Sequence, residues 1–217
     1  MTSNGRPVWV IPSVDPGYRE ACLATLKPAI RDRTVIVDNT TVNRGVAASW
    51  NLGIDAAKDA SASWLVICSE SMRFGSNGGT DWEAQLQGDW TDSLFGWHLV
   101  AFRAETLERT GRFDENFWPA YLEDTDYLVR LHLAGYASPR ENNRRHYWAD
   151  IDAHHMGTEH SIREGFVQAD LAPGRAYYQQ KWGCEQPGYR HTNPFGNPEK
   201  DWTWWPPAPG PRGATGG

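Results

Sequence analysis

Glu123-Asp124-Thr125-Asp126 places three acids in four residues, just ahead of the helix-like apolar positions Tyr127, Leu131 and Ala134. Acids at a helix start are favoured by the helix dipole, but capping needs fewer than three. A carboxylate held there can also take a proton from a substrate hydroxyl, since it is ionised at pH 7. A second group surrounds a strand end. Val35-Ile36-Val37 runs into Asp38-Asn39, and Asn43-Arg44-Gly45 opens an Ala-rich stretch patterned as a helix to Ala60. An acid just past a strand can accept from a base N–H or a ribose hydroxyl. A guanidinium at a helix mouth suits phosphate. On the residues alone, a plain turn at 38–39 and a solvated charge at Arg44 remain alternatives.

A third group, Ser69-Glu70-Ser71 with Arg73 close behind, follows the apolar run Trp64–Cys68. His154-His155 forms a fourth. Two adjacent residues of an extended segment point to opposite faces, so at most one of these histidines can join a shared site. Trp97 stands at the head of an apolar run to Phe102, where core packing is the reading its type favours.

The elements that must carry these groups alternate. Val8–Ile11, closed by Pro12, reads as a buried strand, and Tyr18, Cys22, Leu26 and Ile30 make a helical face with Pro28 near its end. Val35–Val37 is a second strand, Gly45–Ala60 a second helix, and Trp64–Cys68 a third strand. Residues 73–80 read as a loop, 97–102 as a strand, 104–110, 122–134 and 175–182 as helices, while 140–160 resists assignment. Strand-helix alternation predicts an α/β domain with a mostly parallel central sheet flanked by helices. Ligands of such sheets lie beyond the carboxyl ends of the strands. Those ends are Pro12-Ser13, Asp38-Asn39 and Ser69-Glu70-Ser71, all polar. One domain over 1–205 and a disordered Pro/Gly-rich tail over 206–217 are expected.

Composition narrows the classes. With 217 residues, a net charge of −6 and no basic run, the chain is a poor partner for duplex nucleic acid. No apolar run approaches the roughly 20 residues of a membrane span. The first residues lack an apolar signal core. Three scattered cysteines, Cys22, Cys68 and Cys184, favour neither disulfides nor a zinc site and suit a reduced, cytoplasmic chain. Dinucleotide, P-loop, HExxH and GxSxG signatures are missing. The 12 tryptophans exceed what a small core needs, although most are expected to thicken it.

Two constellations in order carry a resemblance: Val35–Ile54, with Asp38-Asn39 and Asn43-Arg44-Gly45, and Gly111–Arg130, with Gly111-Arg-Phe113-Asp114-Glu115 before Glu123-Asp124-Thr125-Asp126, closed by Ala134-Gly135-Tyr136. Over roughly residues 8 to 160 the chain resembles family 2 glycosyltransferases of the A-type fold, in particular their rhamnosyltransferase-like branch. The resemblance implies a nucleotide-diphosphate sugar bound across Pro12, Ser13, Asp38, Asn39, Asn43, Arg44, Ser69, Glu70, Ser71 and Arg73. It makes Asp124 the general base, with Glu123 beside it. Trp97 and Asp126 are assigned to the acceptor, which is a glycan, a protein or another hydroxyl compound, and the anomeric carbon inverts. Asn51 and Gly53 are assigned to helix packing, and Lys181 is a candidate for neutralising the leaving diphosphate.

One position departs from the family pattern. Where family members hold Mn²⁺ or Mg²⁺ with Asp-x-Asp, this chain has serines at 69 and 71. Hard cations require charged oxygens, so Glu70 with His154 or His155 would be the only protein ligands. Weak or absent metal dependence is therefore expected. A non-catalytic nucleotide-sugar or glycan-binding protein on the same fold is the rival reading, and a nucleotidyltransferase is a weaker one.

Overall fold

The computed structural model describes residues 5–86, 88–93, 95–136, 151–157 and 171–207. Three strands, Val8–Ser13 (β1), Thr34–Asp38 (β2) and Trp64–Cys68 (β3), pair in parallel, with β1 in the middle. Side chains alternate along β1, so Val8 and Val10 enter one core while Trp9 and Ile11 enter the other. A strand buried on both faces must be apolar throughout, which explains the unbroken run at 8–11.

The crossover helices follow the sequence pattern with one break. Pro16–Thr25 (α1) starts at Asp15, whose carboxylate accepts from Gly17 and Tyr18 N–H. The face through Leu26 and Ile30, expected to be continuous, is cut. Lys27 is extended because it precedes Pro28, which opens the short helix Pro28–Arg31 (α2). Leu26 and Ile30 reach the same core nonetheless. Val46–Asp59 (α3) lies on the other face. A Cβ on its Gly53 would stand 2.7 Å from the Val10 side chain, so only glycine permits this approach.

Beyond β3 the chain departs from simple alternation. Met72–Phe74 (β4) and Thr80–Ala84 (α4) trim the ends of the loop expected over 73–80, whose centre at 75–79 is a turn. Trp90–Asp92 (β5), not anticipated, and Leu99–Arg103 (β6) extend the sheet antiparallel, giving the order β2-β1-β3-β6-β5. Residues 97 and 98, expected as the start of that strand, fall in a 3₁₀ turn over 96–98. Ala104–Thr110 (α5) and Glu123–Leu133 (α6) follow. Ala153–His155 (β7) pairs antiparallel with β4, and Ala172–Trp182 (α7) closes the described fold. Six of the tryptophans, 9, 50, 64, 82, 90 and 182, are buried, so core filling accounts for half of the unusual count. Residues 208–217 of the expected tail lie outside the described residues. No described helix is long and apolar enough to cross a membrane.

α6 is seated by charge as well as by apolar contact. Lys181 Nζ of α7 lies 2.7 Å from both Asp114 Oδ2 and Asp126 Oδ1, and all three side chains are fully buried. Arg130 Nε donates to Asp126 Oδ2 at 2.9 Å, and its Nη1 donates to the carbonyls of Thr110 and Arg112. Trp182 Nε1 donates to Asp126 Oδ1 at 2.9 Å, and Tyr177 hydroxyl to Asp114 Oδ2 at 2.8 Å. Two acids and two bases thus form a neutral buried cluster. Burial alone would raise the Asp126 carboxyl; Lys181 and Arg130 outweigh it and hold it below the ordinary range. Removing one partner strands the others without water. Lys181→Met should lower the unfolding free energy by about 3–5 kcal/mol in denaturant titration. A loss under about 1 kcal/mol would put the cluster on a par with surface pairs.

Candidate active site

A cavity of about 490 Å³ opens across the carboxyl ends of β1, β2 and β3, within the size range of small-molecule sites. Pro12 and Val14 line it after β1, Asn39 and Asn43 after β2, and Ser69 and Glu70 after β3. Trp97 and His98 close one side, and Pro119, Tyr121, Glu123 and Asp124 another. Residues distant in sequence and assigned to donor and to catalysis therefore share one cleft.

The β2 end is built by side-chain hydrogen bonds. Asn39 is buried, donates to Ser49 Oγ at 2.9 Å and accepts from Arg44 N–H at 3.2 Å, tying the strand to α3. Asn43 Oδ1 accepts from Gly45 N–H at 2.9 Å. Asp38 and Arg44 flank the cavity without lining it: Arg44 Nη1 donates to the Asp38 carbonyl at 2.8 Å, and Arg19 pairs with the Asp38 carboxylate at 3.2 Å. Hydrogen bonds from the Thr40 hydroxyl and N–H, with Arg19 adding, keep that exposed carboxyl ionised below its ordinary range. Ser13 is fully buried and does not line the cleft. Asn51, as expected, packs: it bonds Phe113 backbone N–H and C=O, joining α3 to the 111–116 loop.

The α6 side of the cleft is pinned to the β2 side. Val46 N–H donates to Pro119 C=O at 2.8 Å, and Trp118 Nε1 to Asn43 C=O at 3.2 Å. Gly45, at φ 84°, makes the contact: a Cβ would sit 2.9 Å from Trp118 Cδ1 and 3.0 Å from Pro119 O. Tyr121 (φ 77°) and Leu122 (φ 74°) then turn through the left-handed region, which bulky residues rarely occupy. Such strain persists only where surrounding contacts impose it, and it clusters at functional loops. It delivers Glu123 and Asp124 to the first turn of α6.

Burial pushes the Asp124 carboxyl above the usual aspartate range, although Thr125 N–H (2.6 Å) and hydroxyl (3.2 Å) hold its Oδ1 and oppose the shift. Glu123 is pushed much further, by burial first and then by the charge of Asp124. Its Oε2 has no hydrogen-bond partner among the described residues. Both carboxyls are therefore harder to ionise than in water, Glu123 the more so.

Several expected residues take other roles. Asp126, assigned to the acceptor, is spent on the buried ion cluster and does not reach the cleft. Two residues along a helix turn by about 200°, so Asp124 and Asp126 face opposite ways. Lys181 belongs to that cluster too and is not available to a diphosphate. Trp97 lines the cleft at one edge, but it is stacked on Trp50 at 5.6 Å and packed against Phe102, Phe113 and Tyr127. Arg73 Nη1 is committed to the carbonyls of Glu70 and Met72, with its guanidinium over Tyr18.

The residues after β3 do not fit a protein-held divalent cation. Both oxygens of Glu70 accept backbone N–H groups, from Val14 at 3.1 Å and Asp15 at 3.3 Å, so the carboxylate ties β3 to the β1–α1 turn. His154 is exposed on the far face of β7. His155 Nε2 bonds Ser71 Oγ at 2.7 Å. Among the described residues no three His, Cys, Asp or Glu side chains gather to hold a metal. His160 lies outside the described residues. His98 was not singled out by the sequence. It lies on the cleft wall and stacks on His155 with ring centroids 3.8 Å apart. Burial, then the neighbouring imidazole, lowers it to about 4.

The arrangement matches known architecture. Among solved structures the chain is similar to the catalytic domain of Drosophila beta-1,4-galactosyltransferase 7 in complex with xylobiose, with a TM-score of 0.56 and 14% identity over 88% of this chain and 83% of that one. It is also similar to a mutant of that Drosophila enzyme in complex with manganese, UDP-Gal and xylobiose, at 0.51 and 12% over 88% and 84%. No protein-family model and no curated protein matches the chain. At such identities the likeness is one of fold: the chain has the A-type glycosyltransferase fold, its central sheet parallel on one side and antiparallel on the other.

The carboxyl pair yields a linkage test. Above the ordinary glutamate value of 4.5 the unfolded chain releases the Glu123 proton, while the folded chain keeps it until its raised value is passed. Stability from this group is thus fully present below 4.5 and is lost as pH rises through that window. Glu123→Gln keeps the shape and the neutral form. Urea midpoints should show the variant gaining on the native chain as pH rises from 4.5 to neutrality. A constant difference across that range would show Glu123 to be ionised throughout.

Proposed function

We propose that this protein is a glycosyltransferase that moves a hexose from a nucleotide-diphosphate donor to an acceptor hydroxyl with inversion. The carrying observation is the single cleft that joins the three parallel strand ends to the Glu123-Asp124 pair. The nucleoside would lie at the β2 end beside Asp38, Asn39 and Asn43, with Arg44 at the rim, and the diphosphate would lie towards Ser69. The sugar would point to α6. Motifs of the rhamnosyltransferase-like branch suggest the donor class. The acceptor is a glycan, protein or other hydroxyl compound, and the free cysteines suit a cytoplasmic setting.

In this mechanism Asp124 takes the proton of the acceptor hydroxyl as its oxygen bonds to the anomeric carbon. The bond from that carbon to the diphosphate oxygen breaks on the opposite side, and its electron pair leaves with the nucleoside diphosphate. One displacement inverts the centre. Burial makes Asp124 a stronger base than a surface aspartate. Glu123, carrying its proton, donates a hydrogen bond to the sugar or the acceptor rather than adding a second negative charge. Neither role needs a residue that the ion cluster holds.

Asp124→Asn should retain fold and donor affinity but lose transfer by about 10²–10⁴-fold. The native enzyme's rate should fall on the acid side at a pH above the ordinary aspartate range, because the raised carboxyl protonates early. Product formation from UDP-, GDP- and dTDP-sugars, with donor hydrolysis as the acceptor-free control, measures both. Near-native turnover by the variant contradicts the assignment. Donor binding without hydrolysis or transfer by the native protein would favour the non-catalytic reading.

A further inference from the structure

We propose that Ser69, Ser71 and His155 form an oriented hydrogen-bond relay that binds the donor's diphosphate through the Ser69 hydroxyl, with no protein-held divalent cation; this rests on the donor reading above. His155 Nδ1 accepts from Gly157 N–H at 3.3 Å, so that nitrogen carries no proton and Nε2 does. Nε2–H then donates to Ser71 Oγ at 2.7 Å. The Ser69 and Ser71 hydroxyls are 2.7 Å apart, and either could donate.

Burial decides between them. Ser71 is fully buried. If Ser69 donated to it, Ser71 Oγ would accept twice and its own hydrogen would be stranded, at the cost of an unsatisfied buried donor. With Ser71 donating, its hydrogen is used. Ser69 Oγ then accepts from the Ser71 hydroxyl and from Ser71 N–H, at 3.3 Å. Both lone pairs of Ser69 are filled, so its own O–H must point away from the relay. Ser69 is the relay member on the cleft wall. Its backbone is fixed by Ser69 N–H donating to His98 C=O at 2.8 Å, and the His98 ring stacks on His155. What reaches the cleft is therefore an aimed donor whose oxygen cannot turn a lone pair outward. That chemistry recognises an anionic oxygen and rejects a cation. The Glu70 carboxylate is oriented by the Val14 and Asp15 backbone N–H groups rather than by the relay.

The test is calorimetric binding of UDP, GDP and dTDP to the full chain, in EDTA and in Mn²⁺, with the free nucleosides as controls. The native protein should bind one of the diphosphates in EDTA, and Mn²⁺ should change its affinity by less than about threefold. Ser69→Ala should weaken the diphosphate by about tenfold or more, as expected for a lost hydrogen bond to a charged group, and leave the nucleoside unchanged. Ser69→Thr, which keeps the hydroxyl, should stay near native and controls for folding. Ser69→Asp should lose binding in EDTA and recover it in Mn²⁺. Native binding that requires Mn²⁺, or native affinity in Ser69→Ala, overturns the relay while leaving the donor reading intact. No binding of any diphosphate in either condition overturns both.

Discussion

Four buried charges decide where the chemistry can be. Asp114, Lys181, Asp126 and Arg130 come from the 111–116 loop, α7 and α6, and none touches water. Each is tolerable only while the others stay in place, because a lone buried ion costs several kcal/mol. Helix α6 can therefore neither rotate nor slide without breaking the cluster. Since α6 holds Asp126 and Arg130 on its buried side, Asp124, about 200° round the helix from Asp126, must face the other way, while Glu123 lies at the helix end near the buried side. The cluster itself fixes the rotation of α6, and with it the direction in which Asp124 faces.

A second constraint ties the Glu123-Asp124 pair to the β2 end of the cleft. Gly45 is both the residue before α3 and the surface on which Trp118 and Pro119 rest. A side chain there would push apart the two halves of the cleft. The left-handed turn at Tyr121 and Leu122 stores some of the energy of this arrangement, and the contacts on either side keep it from relaxing. Because α3 and the 118–119 segment meet at one glycine, the strand ends and the acids are held at a fixed separation.

Much of this was legible in the sequence, for physical reasons. β1, β2 and β3 are buried on both faces, so their apolar runs stand out, and crossover helices make the parallel order nearly obligatory. Of the residues named after each run, Pro12, Asn39, Ser69 and Glu70 line the cleft, while Ser13, Asp38 and Ser71 do not. Asp126 could have been read correctly as well. Its spacing from Asp124 puts it on the opposite side of a helix, and Arg130 four residues on is a natural partner. The partner that matters more, Lys181, is 55 residues from Asp126, and nothing local predicts the pairing. β5 is three residues long, and β6 pairs antiparallel, so neither carries a crossover signal. His98 escaped notice because its place beside Ser69 comes from that antiparallel pairing alone. The serines at 69 and 71 were visible as a departure, but their link to His155 needed the β4–β7 pairing.

The central claim is that one cleft holds donor and base together with the anomeric carbon between them. A crystal structure with the nucleotide sugar that most raises the melting temperature addresses it most directly. The account predicts the nucleoside at the β2 end, a diphosphate oxygen on Ser69 Oγ, and the anomeric carbon facing the Asp124 carboxylate with room for a hydroxyl between. A nucleotide seated instead in the cavity at the opposite end of the sheet, between Ile54, Lys58, Trp64 and Glu108, or a sugar pointing away from α6, would contradict it.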